Sequence, residues 1–127
     1  MTTDKKQILE TAITGLFGAG GVDAVEPHLS ETFVDHGPGI KAANKAEWIA
    51  IAKQIPVADM KIEIRHMIAE DDVVAMVSRR WIPWEDRWIA VADVWRFEDD
   101  LIAEHGEIFQ PVPESEAGTA ATGFMPW

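Results

Sequence analysis

The order of apolar and polar positions divides the chain into a helical half and a strand half. Between Thr3 and Gly21, residues Ile8, Leu9, Ala12, Ile13, Leu16 and Phe17 recur at the spacing that gathers them on one helix face. Thr3 or Asp4 suits the N-cap, where a short side-chain oxygen accepts from the unpaired amides of the first turn. The glycines from Gly18 to Gly21 end this helix. "VDAVEPHLS" predicts a short helix with Asp23 as its cap, and "TFVDHG" a short extended piece. "NKAEWIAIAKQIP" predicts a further helix, capped by Asn44, stopped by Pro56 and apolar along Trp48, Ile51, Ala52 and Ile55.

After Pro56 the period changes to two. Alternation in "DMKIEIRHMIAED" places Met60, Ile62, Ile64, His66 and Ile68 on one strand face. "DVVAMVSRRWI", "RWIAVADVWRF" and "LIAEHGEIFQ" predict three more strands, and Glu70-Asp71-Asp72, "PWED" and Glu98-Asp99-Asp100 predict the turns between them. Helices followed by a meander of strands argue for an α+β fold, with the helices packed on one face of a curved antiparallel sheet. The length of 127 residues fits one domain. That domain is expected over residues 1–114, with a polar, small-residue tail over 115–127 whose final "FMPW" is apolar enough to dock.

Composition narrows the function classes. The net charge of −11 argues against nucleic acid and anionic membranes, because phosphate recognition needs a basic surface. The absence of cysteine excludes disulfides, thiolate metal ligands and thiol catalysis. "MTTDKKQILE" has no apolar signal core, and no apolar run is long enough to span a bilayer, so a soluble, cytoplasmic protein is expected. Tyrosine is absent, yet there are six tryptophans, four of them (Trp81, Trp84, Trp88, Trp95) close together. Indoles inside an acidic exterior suggest a large apolar interior with a pocket.

Two stretches carry candidate chemistry: "FVDHGPG" and "VADVWRFEDDLIAEHGEIFQPVPE". The second resembles the C-terminal signature of the SnoaL-like polyketide cyclase branch of the NTF2-like superfamily, matched by Asp93, Trp95, Arg96, Ile102, Glu104, His105, Gln110, Pro111 and Pro113. The first resembles that family's aromatic-aliphatic-polar-His-x-Pro element through Phe33, His36 and Pro38. The resemblance implies an NTF2-like cone, in which a bent sheet wraps around the N-terminal helices and opens onto an apolar pocket. It also implies a homodimer formed through the outer sheet face. Two pairs of residues depart from the pattern: Gly106 and Glu107 stand where the family often has Trp-Asp, and Asp99-Asp100 where the turn usually carries Asn-Gly.

The hairpin "RFEDDLI" sets which polar residues meet. A three-residue loop, Glu98 to Asp100, puts Asp93 opposite His105; a two-residue loop, Asp99-Asp100, puts Asp93 opposite Gly106. Likeness to the ketosteroid isomerase pattern favours the longer loop, which gathers Asp93, Trp95, Phe97, Leu101, Ala103, His105, Glu107 and Phe109 on one face. Glu104 then belongs to the outer face.

The same resemblance implies catalytic roles. His36 falls at the isomerase's general base and Asp93 at its protonated oxyanion-hole acid, with His105 and Glu107 assisting. The isomerase's donating tyrosine has no counterpart here. Trp48, Trp95, Phe109 and Phe33 are the expected ligand-binding walls. The expected activity is cofactor-independent acid/base chemistry on a small apolar carbonyl compound, of aldol cyclase or isomerase type. A non-catalytic ligand-binding protein and a dimeric interaction module are the alternatives on the same scaffold. Structural readings stand beside these roles: His36 as a turn cap, and Asp93 as the partner of Arg79, Arg80 or Arg87. No metal is expected, since His36, Asp93 and His105 form no tight ligand-spacing motif. "GAGG" closes a helix, whereas a phosphate loop opens one.

Overall fold

The computed structural model describes residues 4–112. Helix α1, Lys5–Leu16, is capped by Asp4, whose carboxylate accepts from the Lys6 amide at 2.9 Å. It buries Leu9, Ala12, Ile13 and Leu16, the apolar stripe legible in the sequence. The stretch read as one short helix is instead two 3-10 turns, Gly21–Ala24 and Glu26–His28. Pro27 has no amide hydrogen with which to continue a helix. Helix α2, Lys45–Ala52, starts at Asn44, which accepts from the Glu47 amide at 2.9 Å. The tail and its "FMPW" lie outside the described residues.

Six strands form one curved, unclosed sheet: β1 (Leu29–His36), β2 (Lys41–Ala42), β3 (Lys61–Glu70), β4 (Val73–Ile82), β5 (Arg87–Glu98) and β6 (Leu101–Pro111). Their spatial order is β2-β1-β6-β5-β4-β3. Neighbours are antiparallel except β1 and β6, which are parallel. The architecture is α+β, as the pattern predicts. Leu9, Ile13, Phe33, Met76, Trp95, Phe97 and Ile102 join the helices to the inner sheet face in one core. Among the described residues, no helix is long and apolar enough to cross a membrane.

Two bulges re-phase the strands. In β3, Ile64 opposes Ser78 but His66 opposes Val77, leaving Arg65 extra. A bulge shifts every later side chain to the other face. Ile62 and Ile64 therefore pack on the core, Met67 takes over the inward role, and His66 and Ile68 turn outward, so the five-residue face read from the sequence is broken after Ile64.

The second bulge corrects the expected hairpin. The β5–β6 turn holds only Asp99-Asp100, with Glu98 opposite Leu101. The extra residue is Ala103: Phe97 opposes Ile102, and then Arg96 opposes Glu104. Asp93 consequently faces Glu107, and Trp95 faces His105. The short turn and the bulge together shift the pairing by two residues from the expected register. An even shift preserves side, so Asp93, Trp95, His105 and Glu107 still share the inner face. Leu101 leaves it and is exposed.

The turns carry local cost. Asp71, Asp86 and Asp99 have φ of 53°, 51° and 54°, a region glycine adopts without steric penalty. Asp99→Gly is expected to stabilise the fold by about 0.5–1 kcal/mol, read as a higher urea midpoint. An unchanged or lower midpoint would show that the aspartate is unstrained there.

Candidate active site

The inner sheet face, α1, α2 and the segment after α2 surround a cavity of about 240 Å³. Its walls are mostly apolar, with Leu16, Phe17, Ile40, Trp48 and Trp95 deep and Trp84 and Phe109 at the exposed end. Small-molecule sites combine such walls with a few placed polar groups. The polar groups here are Asp35, Arg80, Asp93, His105 and Glu107, with Glu85 beside Trp84.

Four of these form a chain of contacts. The His105 ring lies between two buried carboxyl groups: Nδ1 is 3.0 Å from Asp35 Oδ1, and Nε2 is 2.7 Å from Asp93 Oδ1. Asp35 Oδ1 also accepts from the Gly37 amide at 2.9 Å, and Asp35 Oδ2 accepts from Trp48 Nε1 at 2.9 Å. Arg80 Nη2 donates to Asp93 Oδ2. Burial alone pushes His105 down, but the hydrogen bonds and charges of Asp35 and Asp93 outweigh it and raise its pKa to about 9. His105 is thus an imidazolium at neutral pH, donating from both nitrogens. Its ring also lies on the indole of Trp95, with centroids 3.9 Å apart and planes tilted by 31°.

Glu107 is held differently. Its Oε1 accepts from the Gly39 amide at 2.7 Å, and its own amide donates to the Gly37 carbonyl at 3.0 Å. A β-carbon on Gly39 would lie 2.2 Å from Oε1, so a larger residue there would push the Glu107 carboxyl out of this seat. Its Oε2 lies 3.7 Å from Arg80 Nη1, too far for a hydrogen bond. Burial is the main cause that raises the Glu107 pKa above the ordinary carboxylate range; the charge of Asp93 adds to it, while His105, Arg80 and the Gly39 amide oppose it. Asp93, His105 and Glu107 each bring a ligand-type atom within 4.8 Å of the others. Arg80 already supplies the positive charge beside two of them.

The structure sorts the residues named from sequence. Asp93, His105 and Glu107 meet in the cavity, and Trp48, Trp95 and Phe109 line it. His36 does not reach it. Strand alternation turns Asp35 inward and His36 outward, where His36 Nε2 is 2.7 Å from Glu104 Oε2 on the outer face. Phe33 is fully buried in the core, edge-on to Trp48 at 6.2 Å, and does not line the cavity. Both oxygens of Asp93 are engaged, Oδ1 with the His105 ring and Oδ2 with Arg80.

Two further polar residues enter the cavity: Asp35, and Arg80, which the sequence offers only as one of three possible partners of Asp93 and which does pair with it. Asp35 has the parity of Phe33, a signal available in "FVDHGPG" itself. Arg80 lies in "SRRW", where a strand must point one of two adjacent arginines inward.

Comparison with solved structures places this geometry among NTF2-like folds. The chain is similar to an NTF2-like protein of unknown function from Cytophaga hutchinsonii, with a TM-score of 0.72, 14% identity and 87% of this chain and 93% of that chain covered. It is similar to IdmH from Streptomyces antibioticus, described as a candidate polyketide cyclase, with a TM-score of 0.66, 16% identity and coverage of 85% and 93%. An LEH-like epoxide hydrolase from M. tuberculosis gives a TM-score of 0.67, 15% identity and coverage of 86% and 84%. At these identities the likeness speaks for the fold alone. No curated protein matches the sequence. The sequence profile of the SnoaL-like domain matches residues 10–105, and the chain therefore belongs to the SnoaL-like family.

Proposed function

We propose that the protein is a cofactor-independent acid/base enzyme acting on a small, apolar, enolisable carbonyl compound, with Glu107 as the proton carrier. One observation carries this reading: Glu107 is a carboxyl of raised pKa with a hydrogen-bonded Oε1 and an unbonded Oε2 on an apolar cavity. A carboxyl tuned upward exchanges protons near neutral pH more effectively than an ordinary one. Its carboxylate takes a proton from the carbon next to a carbonyl, leaving an enolate. In an aldol cyclisation the enolate carbon bonds to a second carbonyl carbon, and Glu107 returns the proton to the alkoxide formed. In an isomerisation the proton returns to another carbon. Either path is balanced without an oxidant or a consumed cofactor.

In this reading the other polar groups serve Glu107. The Asp35–His105–Asp93 clamp holds the floor of the cavity, and Trp48, Trp95 and Phe109 contact the ligand. His36 has no part in the chemistry. The cavity of about 240 Å³, just below the roughly 300–1,000 Å³ common for ligand sites, suits a compound of one or two rings. The neighbours named as cyclase and epoxide hydrolase support small-molecule chemistry on this scaffold.

We also propose a homodimer through the outer sheet face. Ile68, Val94 and Ile108 lie there, exposed at 62%, 50% and 78%. Small neighbours Ala75, Ala92 and Gly106 leave the surface between them flat.

Three measurements test these proposals. With α-tetralone in deuterium oxide, the protein is expected to speed exchange at the ketone's α-carbon, seen by NMR. Glu107→Gln should slow it by roughly 100-fold or more, and Gly39→Ala, which crowds Oε1, should approach the same loss in a folded protein. Undiminished exchange in Glu107→Gln removes Glu107 as the carrier; tetralone binding without exchange in the wild type favours the non-catalytic binding protein.

The second follows from His105. Its folded pKa of about 9 lies above the unfolded value of 6.5, so its stabilisation is complete below about pH 6.5 and is lost as pH rises through about 9. The unfolding free energy from urea titrations is expected to fall by about 3 kcal/mol across that window. His105→Gln should flatten the curve; a wild-type curve already flat there would refute the clamped imidazolium.

For assembly, light scattering is expected to give twice the chain mass, and Ile108→Lys the single-chain mass. A monomeric wild type at micromolar concentration would remove the dimer.

A further inference from the structure

Arg80 stands on the inner face of β4, opposite Ile89, and enters the cavity between Asp93 and Glu107. Its guanidinium is fixed on two sides. Nη2 donates to Asp93, which is itself held by His105, and the guanidinium carbon lies 5.6 Å from the centre of the Phe17 ring. The rest of the group is under-used. Nε has no hydrogen-bond partner among the described residues, and Nη1 lies 3.7 Å from the unbonded Glu107 Oε2. A guanidinium carries five N–H donors, and a charge with only 13% of its side chain exposed is normally bonded on every side. A preorganised cation with a spare donor, next to the proposed proton carrier, is the arrangement that stabilises oxygen charge appearing during a reaction.

We propose that Arg80 Nη1 receives the carbonyl oxygen of the substrate and stabilises it as an enolate oxyanion, and that the substrate enters the cavity uncharged. This rests on the reading of Glu107 as proton carrier and adds the group that accepts the other half of the separated charge. An oxygen about 2.9 Å from Nη1 keeps the adjoining carbon next to Oε2. The charge of the cavity argues for a neutral ligand. Among the described residues, Asp35, Glu85, Asp93 and Glu107 line the cavity with Arg80 and His105, so an incoming anion meets carboxyl groups that outnumber the cations. An oxyanion formed inside is different: the substrate's proton moves to Glu107, and the net charge of the cavity does not change.

The test uses 2-naphthol, a planar enol mimic, with 2-naphthoate as the anionic counterpart. Bound naphthol, followed by its absorbance, is expected to ionise at least about one pH unit below free naphthol, a tenfold preference for the anion formed in place. Arg80→Met should abolish that shift and Arg80→Lys should keep part of it, with near-ultraviolet circular dichroism checking the fold. Naphthoate should bind roughly tenfold or more weakly than naphthol to the wild type. Naphthol that binds but ionises at its free pH or above it, a shift that survives in Arg80→Met, or naphthoate binding as tightly as naphthol would each overturn the assignment. The wild-type measurement stands even if the Arg80 variants do not fold. Tetralone exchange without naphthol binding overturns the role of Arg80 alone; absence of both removes the proton-carrier reading with it.

Discussion

The site depends on one buried imidazolium. His105 bridges Asp35 on β1 and Asp93 on β5 from its own strand, β6, and so ties three strands together from the inside. Two carboxylates cannot be buried side by side without a compensating positive charge, and His105 supplies one between them. Asp35 in turn anchors Trp48 from α2 and the Gly37 amide, while Asp93 anchors Arg80 from β4. Wall, turn and cation thus take their places from a single charged ring, which is why the proposed acid/base role goes to the freer Glu107 rather than to the clamped groups.

The strands reach this arrangement through displacement in pairs. A two-residue turn alone would have set Asp93 against Gly106 and parted the acids. The bulge at Ala103 adds one residue to β6 and returns its later side chains to the inner face. The glycines after β1 complete the seat of Glu107: the Gly37 carbonyl takes its amide, and the Gly39 amide takes its carboxyl. The "FVDHGPG" stretch therefore contributes an inward aspartate and a backbone cradle, and its histidine belongs to the outer face with Glu104 and Arg96.

Residues that carry chemistry were legible where a local rule applied. Asp93, His105 and Glu107 share a parity on neighbouring strands, and that parity survived an error of two residues in register because side depends only on odd or even. His36 was misplaced because a motif resemblance ranks residue types, whereas alternation along β1 decides which neighbour points inward. Arg80 was legible only as one of three arginines able to pair with Asp93, because which of them enters the cavity depends on what faces it from two other strands.

The sequence by itself determined the α+β class, the two capped helices, four of the strands and the apolar stripe of α1. These follow from periodicity, caps and turn residues, which act over a few positions. The tertiary structure decided the bulges, the pairing of β1 with β6, the clamp around His105 and the raised pKa of Glu107. Those rest on contacts between residues 70 or more positions apart and on the burial they create, and no local pattern encodes either.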